Sequence, residues 1–338
     1  MDRRDPNALP APDPAALVAD LSRAHIAARC LHVIAECGAA DAVGDAGATP
    51  AEIAAHTGFD ADALDRMLRL LAAHGIFVRT ADGHYAHSAA SRLLKTDEPG
   101  SLRSYVRMGG MPAFWDRFTE LDHTAREGQR QHHMSSLVEY FASHPEEAAI
   151  FNAAMVSKSR AVLPAVAAAY DFAPYSTIVD VGGGRGHLLK LILERAPNAK
   201  GVLFERPHVI EDTQPAQRLE LVGGDFFVDA VPAADLYLLM DLLHDWDDAD
   251  ATRILAAVRR AAQPRSRLLI VETLVRETPG PHFGKTLDII MLAVTGGRER
   301  TQAQHATLLA AAGFELARVL PTPSQYSLVE AVVVERGT

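Results

Sequence analysis

Apolar positions in the first hundred residues recur with a helical period and are interrupted by turn residues. A helix is predicted over 15–42. A short helix then opens at Thr49, which suits an N-cap because proline and an acid follow it. Residues 62–74 carry a further apolar helical face that ends before a glycine. Residues 76–79 and 84–86 are β-rich and flank a turn, so a winged-helix arrangement is predicted.

The pattern changes after residue 170. Short apolar runs alternate there with helical stretches, which predicts an α/β fold whose mostly parallel sheet is covered on both faces. Two later β-rich runs, 314–320 and 327–335, have no helix between them and predict an antiparallel edge. The predicted parallel strands are 178–181, 202–205, 219–222, 236–240 and 268–272.

These patterns divide the chain of 338 residues, a length that accommodates two domains. Residues 1–14 are proline-rich and charged, and they are expected to form a disordered tail. A winged-helix domain is predicted over 15–100, a helical connector over 101–170 and the α/β domain over 171–338. Bulky residues of the connector are expected to contribute to a substrate pocket.

Composition narrows the range of partners. The formal net charge is −10, and neither a nucleic acid nor an anionic membrane surface suits so acidic a chain. Cys30 and Cys37 are spaced as small core residues of a reducing compartment, and the N-terminus does not have the pattern of a signal peptide. A cytoplasmic location is therefore expected.

A glycine-rich turn, DVGGGRG at 180–186, follows the first predicted strand and opens a helix. Ligands of open α/β sheets bind at such a crossover, although a tight turn without a ligand also explains the glycines. A dinucleotide fingerprint would need a glycine at 187 or 189, where His187 and Leu189 stand. No P-loop Lys-Ser/Thr pair follows either. The turn therefore favours a nucleoside-like ligand other than a dinucleotide.

Acidic residues end the next two strands. Glu205 ends the second strand, where a carboxylate can accept hydrogen bonds from a ribose diol; an exposed surface acid is the alternative. After the third strand, Asp225 can accept from an adenine amino group while Phe226 packs on the ring. A plain loop with an apolar anchor explains that pair equally well.

A histidine follows the fourth strand. His244 can take the proton of a hydroxyl group, since an imidazole of ordinary pKa, near 6.5, is mostly neutral at pH 7. Either Glu272 or Glu299 can hold its other ring nitrogen. The alternative is a histidine that caps a helix beginning near Asp245.

Four motifs in order, DVGGGRG (180–186), GDFF (224–227), LHDWDD (243–248) and GGRERT (296–301), carry a family resemblance. Together they resemble the S-adenosylmethionine-dependent O-methyltransferases of the plant caffeic-acid type and their bacterial natural-product relatives. The resemblance covers nearly the whole chain. It implies a class I methyltransferase sheet, a homodimer formed through the N-terminal domain, and methyl transfer from S-adenosylmethionine to a phenol or enol.

The resemblance also implies roles for individual positions. His244 matches the general base, and Glu272 and Glu299 match two acids that bracket it. Asp288 and Met291 match a pocket-lining helix. The implied cofactor positions are Asp180, Gly182, Glu205, Asp225, Phe226 and Met240, together with Phe151, Met155 and Ser159 on a covering helix. Met240 stands where the family often has a lysine. This replacement either loosens cofactor binding or lets the methionine pack on adenine.

The acceptor pocket is predicted from adaptable side chains. Met108, Met111 and Trp115 can line a flat pocket with Met291, although ordinary helix packing explains each residue as well. No His, Cys and acid cluster has metal-ligand spacing, so no metal is expected.

Two other function classes share features with this pattern. A DNA-binding regulator needs a basic recognition helix, whereas residues 62–74 hold two Asp and two Arg. A hydroxylase or pericyclase with a methyltransferase fold is the other alternative, and the retained His244 disfavours it because such relatives often lose the base.

Overall fold

The computed structural model describes residues 13–127, 132–211 and 213–334, so nearly all of the predicted N-terminal tail lies outside the described residues. The described chain forms two compact units. The first comprises the residues up to Met111 together with Ala149–Ser157, and the second comprises Pro112–Ala148 and the residues from Lys158 onward.

The first unit contains the predicted order of helix, turn, helix and hairpin. Asp13 caps its first helix, which starts one residue earlier than predicted and is interrupted at Gly38, where the backbone is left-handed. The apolar faces of its helices meet around Ile34 and Leu68. Its elements are α1 Pro14–Cys37, α2 Ala39–Ala42, α3 Pro50–Thr57, α4 Ala61–Ala73, β1 Phe77–Arg79, β2 Tyr85–His87, α5 Ala89–Arg92 and α6 Arg103–Gly110.

The connecting region is helical, as predicted. Its elements are α7 Pro112–Trp115, a 3-10 helix Asp116–Glu120, α8 Leu121–Glu127, α9 Met134–Ser143 and α10 Pro145–Ala168. Ala149–Ser157 of α10 belongs to the first unit, whereas both ends of the helix belong to the second. No helix within the described ranges is long and apolar enough to cross a membrane.

The second unit contains the sheet. Its strands are β3 Thr177–Val181, β4 Lys200–Glu205, β5 Leu219–Gly223, β6 Leu236–Met240, β7 Arg267–Glu272, β8 Phe314–Pro321 and β9 Ser327–Val333. Its helices are α11 His187–Arg195, α12 Pro207–Glu211, α13 Asp248–Ala261, α14 Phe283–Val294 and α15 Gln302–Ala311. A 3-10 turn, Leu243–Asp245, follows β6.

Among the described residues, these strands form one seven-stranded sheet in the order β5-β4-β3-β6-β7-β9-β8. The first five strands of that order pair in parallel, and β9 pairs antiparallel with both β7 and β8. Apolar side chains are buried on both faces of the sheet. The predicted α/β fold with an antiparallel edge is therefore confirmed.

Candidate active site

The strand order reverses direction between β3 and β6, because β4 and β5 extend to one side of β3 and the later strands to the other. The carboxyl ends of parallel strands meet at one edge, and a crevice opens where the order reverses. Asp180, Glu205, Met240 and Glu272 all lie at or next to this edge. The fold therefore brings together predicted residues that are far apart in the chain.

The glycine-rich turn packs tightly over Asp180. Gly182 has φ +68°, a left-handed conformation that favours glycine. A Cβ at Gly183 would lie 2.2 Å from Asp180 Oδ2. Only glycine fits at this position, so the turn closes directly on the carboxylate.

Asp180 and Glu205 form an acidic pair under this turn. Glu205 accepts hydrogen bonds from the backbone N–H of Gly184 at 3.0 Å and of Arg206 at 2.7 Å. Asp180 is buried, and its Oδ1 has no partner within the described residues. Burial and the neighbouring Glu205 raise the pKa of Asp180 to about 7. A ligand that brings a donor or a positive charge would satisfy this site.

The turn after β5 is stabilised by Asp225, an aspartate within the turn itself. Asp225 Oδ1 accepts from the Phe227 N–H at 2.8 Å, and Arg206 lies 3.6 Å from its other oxygen. Phe226 packs edge-on against Phe227 and Trp246. Both the adenine assignment and the plain-loop alternative fit this arrangement. Met240, at the end of β6, is half-buried and packs on the core.

His244 lies in the 3-10 turn after β6 and is 4% exposed. The next helix, α13, starts at Asp248 and is capped by Asp247, whose side chain accepts from the Asp250 N–H. The alternative of a helix-capping histidine is therefore wrong, because the chain makes a separate turn before the helix begins.

Three hydrogen bonds fix His244. Its backbone N–H donates to Glu272 Oε1 at 2.9 Å, and its carbonyl accepts from the Arg298 N–H at 2.8 Å. Its Nδ1 lies 2.7 Å from Glu299 Oε1. Of the two acids considered for the ring, Glu299 contacts it, whereas Glu272 holds the main chain.

A glycine allows the loop that carries Glu299 to pack directly against the main chain of His244. A Cβ at Gly297 would lie 2.0 Å from the His244 carbonyl oxygen, so a larger residue cannot occupy that position. Asp288, expected to line a pocket, accepts from the Glu299 N–H at 2.9 Å. Asp288 thus sets the position of the acid that contacts the base.

Carboxylates surround the imidazole. Burial opposes the charged ring, but Asp245, Glu299 and Asp241 outweigh it and raise the pKa of His244 to about 10. The sequence-based expectation of an ordinary pKa omitted this clustering of acids. Nε2 faces Asp241 and Asp245 at 4.0 and 3.9 Å, beyond hydrogen-bond distance. Nδ1 is therefore held by a hydrogen bond, whereas Nε2 forms none with either aspartate.

Two family models match most of this chain. The family model of the O-methyltransferase domain matches residues 118–315, and that of the O-methyltransferase dimerisation domain matches residues 19–97. The chain belongs to the O-methyltransferase family. The resemblance carried by the four motifs is therefore confirmed.

Relatives of this O-methyltransferase match over most of its length. The phenazine O-methyltransferase PhzM of Lysobacter antibioticus is 40% identical over 89% of this chain and 91% of that protein. The mitomycin biosynthesis 6-O-methyltransferase of Streptomyces lavendulae is 36% identical over 87% of each. The crystal structure of CalO1, a methyltransferase in calicheamicin biosynthesis with S-adenosylhomocysteine bound, is 35% identical, with a TM-score of 0.84 over 95% of this chain and 98% of that one.

Sequence reasoning missed one acid in the O-methyltransferase site. Asp241 has a left-handed backbone with φ +48°, which is uncommon for a residue other than glycine. Its Oδ2 accepts from Lys158 Nζ at 3.0 Å and Tyr326 OH at 2.7 Å. Its Oδ1 is buried and has no hydrogen-bond partner in the described chain. An acid three residues before His244 in an apolar run was the available signal.

The other predicted residues divide between the two units. Met108 and Met111 are buried in the first unit, which also contains the half-buried Phe151 and Met155. In the second unit, Ser159 and Trp115 are half-buried and Met291 is buried. The pocket and covering-helix roles of these residues stay predictions.

The described residues contain no group of three or more His, Cys, Asp or Glu that could hold a metal ion.

Proposed function

We propose that this O-methyltransferase moves a methyl group from S-adenosylmethionine to a phenol or enol hydroxyl of a small aromatic or polyketide-like molecule, with His244 as the general base. The observation that carries the proposal is the contact of Nδ1 with Glu299 at 2.7 Å, which leaves Nε2 to face the ligand. Two of the relatives are named for phenazine and for mitomycin biosynthesis.

The acidic edge of the sheet fits the proposed methyl donor. S-adenosylmethionine, when bound, supplies an electrophilic methyl group on a positively charged sulfur. The unpartnered carboxylate oxygen of Asp180 suits a cationic or donor-bearing ligand. Glu205 is proposed to accept from the ribose hydroxyls, Gly182 and Met240 to contact the cofactor, and Asp225 and Phe226 to contact adenine. Ser159, in the second unit, is proposed to help cover the ligand.

Proton removal is the chemical task of the protein. A phenol has an ordinary pKa near 10, so about one molecule in a thousand is ionised at neutral pH. Nε2 is proposed to take the hydroxyl proton, and Glu299 then stabilises the imidazolium through Nδ1. Because the pKa of His244 is about 10, the ring is mostly protonated at neutral pH, and the neutral form that can take the hydroxyl proton becomes more abundant as the pH rises toward 10.

The acceptor is proposed to lie against adaptable side chains of the second unit, namely Trp115 and Met291. Asp288 is proposed to position Glu299 by accepting its backbone N–H, and so to act on His244 indirectly. The chain is proposed to work in the cytoplasm as a homodimer formed through the dimerisation domain. No nucleic acid, membrane or metal is required.

The experiment that tests the function uses S-adenosylmethionine with a labelled methyl group and a panel of phenols, naphthols and hydroxyphenazines. Label in an ether product supports the proposal. Calorimetric binding of S-adenosylmethionine without label in any product of the panel would instead favour non-methylating chemistry on this fold.

A further inference from the structure

Asp241 follows β6 directly and has a backbone conformation that few residues other than glycine adopt. Its φ is +48°. Such strain persists where surrounding contacts fix it, and it is concentrated at functional sites. The contacts here come from Lys158 and Tyr326, and all three residues lie in the second unit. The strained backbone therefore marks Asp241 as a candidate for a role in the site.

The two carboxylate oxygens of Asp241 differ in their contacts. Oδ2 accepts from Lys158 Nζ at 3.0 Å and from Tyr326 OH at 2.7 Å. Oδ1 is buried and has no hydrogen-bond partner in the part of the chain that the structure describes. Because both donors hold the same oxygen, the direction of the other oxygen is fixed. A buried carboxylate oxygen of this kind is costly unless a ligand supplies a donor.

Oδ1 lies beside the nitrogen that is proposed to act on the acceptor. It is 4.0 Å from His244 Nε2, which is beyond hydrogen-bond distance. The His244 side chain is only 6% exposed, so both atoms lie below the surface of the site. A ring hydroxyl that contacts Nε2 therefore brings the neighbouring ring position close to Oδ1.

Charge indicates which kind of group Oδ1 accepts. Burial disfavours the carboxylate, but Lys158 and His244 outweigh it and hold the pKa of Asp241 below its ordinary value. The side chain is therefore ionised and accepts hydrogen bonds only. Because the ion pair with Lys158 has no net charge, a neutral O–H or N–H donor suits Oδ1 better than a cation does.

We propose that Asp241 is a specificity-determining residue that selects acceptors with a second hydrogen-bond donor, a hydroxyl or amino group, on the ring carbon next to the reacting hydroxyl. The reacting hydroxyl contacts His244 Nε2, and its neighbour donates to Asp241 Oδ1. An acceptor without the second donor leaves that buried oxygen unpaired and is rejected for this reason. The inference rests on the proposed function, because it assigns a further contact of the same acceptor.

Asp241→Asn is expected to reverse the polarity of the ligand-facing atom. Lys158 and Tyr326 both donate, so the amide oxygen has to face them and the NH₂ group takes the place of Oδ1. Asparagine also tolerates the left-handed backbone, which preserves the turn. The variant therefore presents a donor where the native chain presents an acceptor.

The experiment uses 2-naphthol and its 3-hydroxy, 3-amino and 3-methoxy derivatives as acceptors of a labelled methyl group. We expect the native kcat/KM for the 3-hydroxy and 3-amino compounds to exceed that for 2-naphthol by about tenfold or more. In Asp241→Asn, the preference for 3-hydroxy over 3-methoxy should fall about tenfold or more, because an ether oxygen accepts from the NH₂ group. Glu194→Gln, the same change of carboxylate to amide at an exposed position on α11, should keep the native preference.

Three outcomes would overturn the inference while methyl transfer itself stands. One is an equal native kcat/KM for all four acceptors, and another is a native preference that survives in Asp241→Asn. The third is a preference that only Asp245→Asn removes, since Asp245 Oδ1 also lies 3.9 Å from His244 Nε2. Thermal unfolding of the variants shows whether each comparison is made on folded protein.

Binding of the same four compounds tests the inference without methyl transfer. Calorimetry with S-adenosylhomocysteine present should give a native Kd for the 3-hydroxy compound about tenfold or more below that for 2-naphthol, and Asp241→Asn should remove the difference. This binding pattern without label in any product would refute the proposed methyl transfer and support the role of Asp241. Equal native Kd values, or no binding of any of the four compounds, would overturn the inference.

Discussion

At the residue scale, the candidate site depends on buried and half-buried acids that make different contacts. Asp180 is left without a partner at one oxygen, Glu205 is held by backbone N–H groups, and Glu299 contacts the imidazole. Each carboxylate is costly to bury, and each cost is offset by a specific contact or by a ligand that supplies one. The concentration of negative charge at this edge suits a positively charged methyl donor.

Glu205→Ala should weaken S-adenosylmethionine binding. The substitution removes the proposed acceptor of the ribose hydroxyls and releases the Gly184 N–H, and we expect the Kd to rise about tenfold or more. Isothermal calorimetry measures this directly, and Glu194→Ala, an exposed acid on α11, is the matched control. An unaltered Kd for Glu205→Ala would remove the ribose assignment.

The sequence indicated individual residues of the site unevenly. His244 and Glu299 were foreseeable as site residues because they lie in motifs, although either Glu272 or Glu299 could have contacted the ring. Asp241 was not, because its importance comes from Lys158 and Tyr326, which are distant in the chain. The division of roles between the two glutamates also needed coordinates, since motif spacing does not show which atom of His244 each acid contacts.

At the element scale, the loop between α14 and α15 connects the sheet edge to the base. Gly297 allows its backbone to touch the His244 carbonyl, and the Arg298 N–H bonds to the same oxygen. Arg300, almost fully buried, donates to the carbonyls of Leu243 and Trp246. The turn that presents His244 is therefore clamped from one side by this loop.

Gly297→Ala should disturb this clamp. The added methyl group would overlap the His244 carbonyl, so we expect the protein to lose about 2 kcal/mol of unfolding free energy and most of its kcat. Denaturant unfolding and steady-state kinetics measure the two effects. Gly44→Ala is the control, because a Cβ there meets nothing within 4 Å. Equal unfolding free energies and equal kcat values for Gly297→Ala and Gly44→Ala would show that the loop accommodates the added methyl group.

Regular elements followed closely from local sequence. The strands predicted from short apolar runs are present within a few residues, because a strand buried on both faces needs an uninterrupted apolar run. The break at Gly38 was missed, since the helical pattern continues on both sides of it. Close contacts between loops, such as that of Gly297, depend on tertiary packing and could not be predicted.

At the scale of the whole molecule, α1 presents apolar side chains to solvent. Val18 is 70% exposed and Leu21 is 69% exposed, and Leu17 and Ile26 are about half exposed. Clustered apolar exposure of this kind marks an interaction surface. This helix overlaps the matched dimerisation domain, so we propose that it contributes to the homodimer interface.

Val18→Glu should weaken that dimer. A charge placed in an apolar interface has to be desolvated on association, and we expect the dimer dissociation constant to rise by about a hundredfold. Analytical ultracentrifugation over a concentration series measures it. The control is Val228→Glu, because Val228 is 82% exposed in the second unit. A dimer unaffected by Val18→Glu would place the interface elsewhere.

The central claim is that His244 removes the acceptor proton. Turnover of a phenolic acceptor by His244→Ala, with S-adenosylmethionine affinity measured on the same preparation, tests it most directly. The account predicts that kcat falls at least about tenfold while the Kd changes little, and that an acidic nitrophenol, already ionised at neutral pH, loses less rate than a simple phenol. Unchanged turnover in His244→Ala would contradict the account.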